Sequence, residues 1–197
     1  MTLFIQIFLA FIEYIVARNM TECKRKPVAK GVSPEYNEQT DRLEVWEWSD
    51  YMQITEMNIE DIDLVLPLYI EYYNKYEDSC WTEVTAKKRI KQVLTIEDSF
   101  SLIMRDNNDI VCGFVMGYFK QYDDIVGYTL EEIIISYQYQ NKGLGSMLLA
   151  TLETKVKEAG ASCVELQAVN DEMHERYYGK AGYSDAKNFV MKVKWFE

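Results

Sequence analysis

The apolar positions of this 197-residue chain change period several times, and each change marks an element. "YMQITEMN" (51–58) predicts a short strand. Ile62, Val65, Leu66, Tyr69 and Tyr73 then recur at helical spacing. Asn58 caps that helix, with Asp61 three residues later in the manner of a capping box. Pro67 falls inside it and is expected to kink it. "WTEVTAKKRIKQVLT" predicts a second helix, capped by Thr82, with Ala86, Ile90, Val93 and Leu94 as its apolar stripe. "SFSLIMRDNNDIVCGFVMGYF" reads as a hairpin: Phe100, Leu102 and Met104 alternate, and Asn107 to Asp109 supply the turn. Gly113 and Gly117 in its second arm indicate a bulge or the close approach of another group.

"GYTLEEIIISY" (127–137) is a strand too apolar for a solvated edge. A helix follows from Gly143 to Ala159, with Leu144, Met147, Leu148, Thr151, Leu152 and Val156 on one face and Gly160 as its stop. "CVELQAV" (163–169) alternates cleanly as another strand. A short helix over 172–181 and a final strand over about 187–196 complete the chain. The order β-α-α-β-β-β-α-β-α-β indicates an α/β domain with a mixed sheet, not a pure Rossmann fold.

The start of the chain departs from this regularity. "MTLFIQIFLAFIEYIVA" (1–17) is apolar apart from Gln6 and Glu13, lacks preceding basic residues, and sits at the lower limit of length for a membrane span. Arg18, Lys24, Arg25 and Lys26 follow it. Three readings stay open: a membrane-associated helix, a helix packing on the domain, or upstream sequence read from a start codon chosen too early. The last is favoured over membrane contact. Residues 27–43, with Pro27, Gly31 and Pro34, read as a linker. The expected division is therefore 1–43 as an apolar segment and linker outside the folded domain, and 44–197 as the domain.

A formal charge of −11 argues against binding nucleic acid and favours, more weakly, a cationic small substrate. The four cysteines, Cys23, Cys80, Cys112 and Cys163, form no C-x-x-C. Reduced thiols in a cytoplasm are expected, with Cys112 and Cys163 buried in strands. His174 is the sole histidine, so a two-histidine metal site is excluded and no metal is expected.

The helix at 143 opens on two glycines, Gly143 and Gly145, the residue type that most weakens helices. A strand, a tight turn and a helix N-terminus bring unpaired N–H groups and the positive end of a dipole to one point. A pyrophosphate fits there, and glycine removes the Cβ atoms that would block it. Lys142 adds positive charge. Walker A spacing is absent, and the third glycine of the Rossmann fingerprint is missing.

Gln140-Asn141-Lys142-Gly143-Leu144-Gly145 does match [Q/R]-x-x-G-x-[G/A], and so resembles the acetyl-coenzyme A loop of the GNAT superfamily of N-acetyltransferases. "LEEIII" (130–135) resembles the strand leading into that loop, and "YYGKAGY" (177–183) resembles the family's Y-x-x-x-G-[F/Y] segment. The element order from about residue 51 agrees as well. The resemblance implies a GNAT-like splayed central sheet with flanking helices and acetyl-CoA as co-substrate in the cleft. Backbone N–H groups of Lys142, Gly143, Leu144, Gly145 and Ser146 would hold the pyrophosphate, with Gln140 and Asn141 also binding the cofactor. The backbone of Ile133, Ile134 and Ile135 would pair with the pantetheine arm as an added strand. Asn170 would reach the pantetheine, one residue before the family's usual asparagine position, which here is Asp171.

Acetylating an amine needs a base for the ammonium and a proton for the leaving thiolate. Glu131 and Glu132 are the candidate bases; on a regular strand they point to opposite faces, so only one can serve directly. Similarity to the family's strand selects Glu131, leaving Glu132 to attract a cationic substrate. Similarity also places the proton donor at Tyr178, with Tyr177 as its rival. His174 is expected to be a surface residue on a short helix. Acceptor recognition is implied at about 59–95, where "YIEYYNKYEDSCW" (69–81) suits an amine stacked on aromatics.

The expectation is a cytoplasmic N-acetyltransferase that moves an acetyl group to the primary amine of a small cationic substrate by direct attack. Acetylation of a protein amino terminus or lysine, and a non-catalytic acyl-CoA sensor, are the alternatives. A homodimer stays open as the oligomeric state.

Overall fold

The computed structural model describes residues 51–196, so the expectations for 1–43 lie outside the described residues. The described chain falls into two compact units that divide after Gln167.

In the first unit, strand β1 (Met52–Glu56) leads through a single 3₁₀ turn (Ile59–Asp61) into helix α1 (Ile62–Tyr76). The Asn58 side chain accepts from Glu60 N–H, and the Asp61 side chain accepts from Asn58 N–H. Together they satisfy donors that a helix start leaves open. α1 runs on through Pro67. Helix α2 (Glu83–Leu94) starts at Thr82, whose hydroxyl accepts from Thr85 N–H at 3.2 Å. Strands β2 (Ser99–Asp106) and β3 (Val111–Gln121) form the expected hairpin, with Asp109 left-handed at φ 63° in the turn. Strand β4 (Val126–Ile135), helix α3 (Leu144–Glu158) and strand β5 (Cys163–Leu166) complete the unit.

The sheet order is β1-β2-β3-β4-β5, antiparallel except for the parallel pair β4–β5. That pair needs a crossover, which α3 supplies. One face of the sheet packs Ile103, Phe114, Met116 and Ile134 against Val65 and Tyr69 of α1 and Ala86, Ile90 and Val93 of α2. Alternation turns buried Leu102, Met104 and Val115 to the other face. α3 lies on that face and buries Leu144, Leu148, Leu149, Leu152 and Val156.

Both glycines of β3 mark close approach. A Cβ on Gly117 would stand 2.1 Å from the Thr129 carbonyl oxygen and 2.7 Å from the Tyr128 hydroxyl. Gly117 also borders a register shift between β3 and β4.

The second unit carries helix α4 (Glu172–Lys180), as expected. The strand expected over 187–196 is not formed: these residues make no ladder. Alternating apolar residues set the faces of a strand, but only a hydrogen-bonded partner makes one, and local sequence cannot name that partner. Similarly, β5 ends at Leu166, before the alternation of 163–169 does. Cys112 is buried as expected, whereas Cys163, at the start of β5, is exposed.

Candidate active site

The register of β4 shapes the site. Met116 lies opposite Glu132 and Gly117 opposite Leu130, so Glu131 is one residue more than β3 can match. Such a bulge bends the strand and re-aims the extra side chain. The expectation that Glu131 and Glu132 point to opposite faces is therefore corrected: both carboxylates meet the same guanidinium. Arg89 of α2 donates from Nη2 to Glu131 Oε2 at 2.6 Å and to Glu132 Oε1 at 3.2 Å, with Nε 3.3 Å from the same Glu132 oxygen.

Glu132 is the deeper of the two, with its side chain 10% exposed against 25% for Glu131 and 29% for Arg89. The Tyr73 hydroxyl donates to its Oε2, and the Tyr69 hydroxyl stands 3.5 Å from its Oε1. Burial pushes the Glu132 carboxyl above the usual carboxylate range, against the opposing pull of Tyr73 and Arg89. Burial, followed by the neighbouring Glu132 charge, also raises both tyrosines well above the ordinary phenol value. A carboxylate with this many donors can stay buried at a cost that an unpaired one could not.

Tyr69 and Tyr73 count as core positions of α1 by spacing alone, and only their hydroxyls give them a second role. Arg89 was missed by sequence reasoning. The available signal was its place on the apolar stripe of α2, three residues after Ala86 and four before Val93, where a charge needs a buried partner.

The segment 69–81 presents its rings mainly to one another. Tyr69 packs on Tyr73 at 4.7 Å and edge-on to Trp81 at 5.2 Å. Tyr76 stacks on Tyr137 at 4.8 Å and 11°. The Asn74 side chain holds the loop after α1, donating to the Trp81 carbonyl at 2.8 Å and accepting from its N–H at 2.6 Å.

Two features of the same unit suit a coenzyme. β4 keeps its ladder with β3 as far as Ile135, but its ladder with β5 stops at Leu130. The β5-side edge of Ile133, Ile134 and Ile135 therefore carries no strand from β5. Beyond it, Gly143 is left-handed at φ 74° and opens α3 with no side-chain cap. The N–H groups of Leu144, Gly145 and Ser146 accordingly have no intrahelical acceptor, and the dipole's positive end is bare. Asn141 is also left-handed at φ 60°. The Gln140 side chain donates to the Ile135 carbonyl at 3.0 Å and so ties the turn to the end of β4. Lys142 Nζ lies 5.5 Å over the Tyr139 ring. These residues fit an anionic, strand-like ligand.

In the second unit, Asp171 caps α4 by accepting from His174 N–H at 2.8 Å, and the His174 ring stands 2.9 Å from the same carboxylate. Burial works against the ionised Asp171, but these hydrogen bonds outweigh it and hold the carboxyl below its ordinary value. The aspartate at the family's asparagine position thus has a local structural role, and Asn170 beside it is exposed. The Tyr178 ring is half-buried among Tyr177 at 5.0 Å, Tyr183 at 5.6 Å and His174 at 6.3 Å.

The sequence model of the acetyltransferase (GNAT) family matches residues 62–183. The chain belongs to this family, whose co-substrate is acetyl-CoA, and is an N-acetyltransferase. It is 26% identical over 145 residues to YhfO, an uncharacterised N-acetyltransferase of Bacillus subtilis, covering 71% of this chain and 94% of the relative. Among solved structures, it resembles a possible acetyltransferase from Clostridium difficile 630 at TM-score 0.63 and 14% identity, over 75% of this chain and 99% of the other. It also resembles the aminoglycoside N-acetyltransferase AAC(6')-Iy in complex with CoA at TM-score 0.59 and 15% identity, over 73% and 95%. At these identities the structural likeness concerns the fold. Among the described residues no helix is long and apolar enough to cross a membrane.

Proposed function

We propose that the chain transfers the acetyl group of acetyl-CoA to the primary amine of a small cationic acceptor by direct attack, with Glu131 as base and Tyr178 as acid. The observation that carries this reading is the pair Glu131 and Glu132, which the β4 bulge brings to one point beside the edge that β5 leaves unladdered. Two carboxylates share the single cation Arg89 at that point, and the acidic excess favours a positively charged amine over a neutral or anionic acceptor.

The backbone of Ile133 to Ile135 would hold the pantetheine arm, and the backbone N–H groups of Lys142 to Ser146 the pyrophosphate, with Gln140 and Asn141 in the same cofactor loop. When bound, acetyl-CoA supplies an activated acetyl thioester. The chain's own residues manage the protons. An ammonium near pKa 10 is not nucleophilic, so Oε of Glu131 takes its proton, directly or through one water. Glu132 adds negative charge that draws the cation in. As the acetyl group passes to nitrogen, the Tyr178 hydroxyl gives its proton to the departing sulfur. No metal enters the scheme. On this reading the catalytic domain is residues 44–197, with 1–43 dispensable for catalysis.

Thiol release from acetyl-CoA, measured across a panel of amines, diamines, amino acids and peptides, tests the reading. Release with a small cationic amine is expected, and Tyr178→Phe should lower its maximal rate at every pH. Release only with peptides bearing a free amino group would move the acceptor to protein. Acetyl-CoA binding without release from any acceptor would leave a sensor.

A further inference from the structure

Arg89 is held at the carboxylate pair from several sides. α2 brings it through its buried stripe, between Ala86 and Ile90, both fully buried. Its fork then reaches Glu131 with Nη2, and Glu132 with both Nη2 and Nε. The titratable groups facing this cluster are Tyr69, Tyr72 and Tyr73 from α1 and Tyr128 with the two glutamates from β4. Met116, opposite Glu132 on β3, is uncharged. Arg89 is thus the cation that the pair is built around.

We propose that Arg89 is a positioning residue of the reaction: its guanidinium fork gathers Glu131 and Glu132 around one cation and thereby sets the pH at which the pair becomes competent to accept a proton. This rests on the reading of the pair as base and substrate anchor. Two carboxylates drawn together without a cation repel, and one of them retains a proton at higher pH. A planar fork with several donors can serve both acids at once, whereas an ammonium is a point charge on a flexible stem. The arginine therefore does two separable things, supplying charge and supplying geometry.

The separation gives the test. The pH profile of kcat is measured for wild type, Arg89→Leu and Arg89→Lys, with acetyl-CoA affinity by calorimetry as a check that each is folded. Arg89→Leu removes the charge, so the acid limb is expected to move to higher pH by about one to three units. Arg89→Lys keeps the charge and loses the fork, so its limb stays near the wild-type position while the plateau falls. A folded Arg89→Leu protein with its limb unmoved and its plateau merely scaled would overturn the proposal, since a packing role lowers activity without changing titration. Should Arg89→Leu fail to fold, Arg89→Gln, which also removes the charge but stays polar, decides: an acid limb displaced to higher pH supports the proposal and an unmoved one overturns it. The base assignment fails separately, in Glu131→Gln, while a displaced limb in Arg89→Leu still supports the pairing.

Discussion

The hydroxyl of Tyr73 on α1 donates to Oε2 of Glu132 on β4, so helix and strand meet at a buried carboxylate. Burial raises this carboxyl above its ordinary value near 4.5 despite that hydrogen bond. The folded state thus binds the Glu132 proton more tightly than the unfolded chain does. Stability from this group falls as pH rises from the ordinary value through the raised one. Wild type should lose thermal stability relative to Glu132→Gln, whose amide does not titrate, across that window. Melting curves of both proteins at a series of pH values check this, and a Tm difference that stays flat above about pH 4 would contradict it.

Gly143→Val should lose acetyl-CoA affinity while the sheet stays folded. A β-branched residue at φ 74° is strained by roughly 1–2 kcal/mol, and its side chain stands where the bare helix N-terminus would receive an anion. Calorimetry and circular dichroism together read the result. Unchanged affinity in a folded variant would remove the loop from the coenzyme site.

Gly117→Ala should act on stability instead. Its methyl would meet backbone oxygen at 2.1 Å and the Tyr128 hydroxyl at 2.7 Å. Overpacking of this kind costs about 1–3 kcal/mol or more. A urea titration showing wild-type stability would contradict the account of the β3–β4 register.

A chain starting at Glu44 should fold and retain full activity, because none of the motifs lies before that residue. A folded but inactive product would show that the preceding residues belong to the site.

What the sequence disclosed follows the range of the interactions. The Asn58–Asp61 box and the Thr82 cap were legible because each closes within three residues. Gly113 and Gly117 announced a close approach because a strand interior has little other use for glycine. The bulge at Glu131 was not legible, since a bulge is a relation between two strands and "LEEIII" alone reads as regular. Arg89 was hidden for a related reason: its partners lie 42 and 43 residues away. The apolar run 187–196 shows the converse, a strand pattern without a ladder.

The pH–rate profile of Glu131→Gln tests the central claim most directly. If Glu131 takes the ammonium proton, its loss should cost roughly 10²–10⁴-fold near neutral pH. Activity should then recover as pH rises toward the amine's own pKa near 10, where the acceptor deprotonates without help. A profile scaled down equally at every pH, with no alkaline recovery, would contradict the assignment of Glu131 as the base.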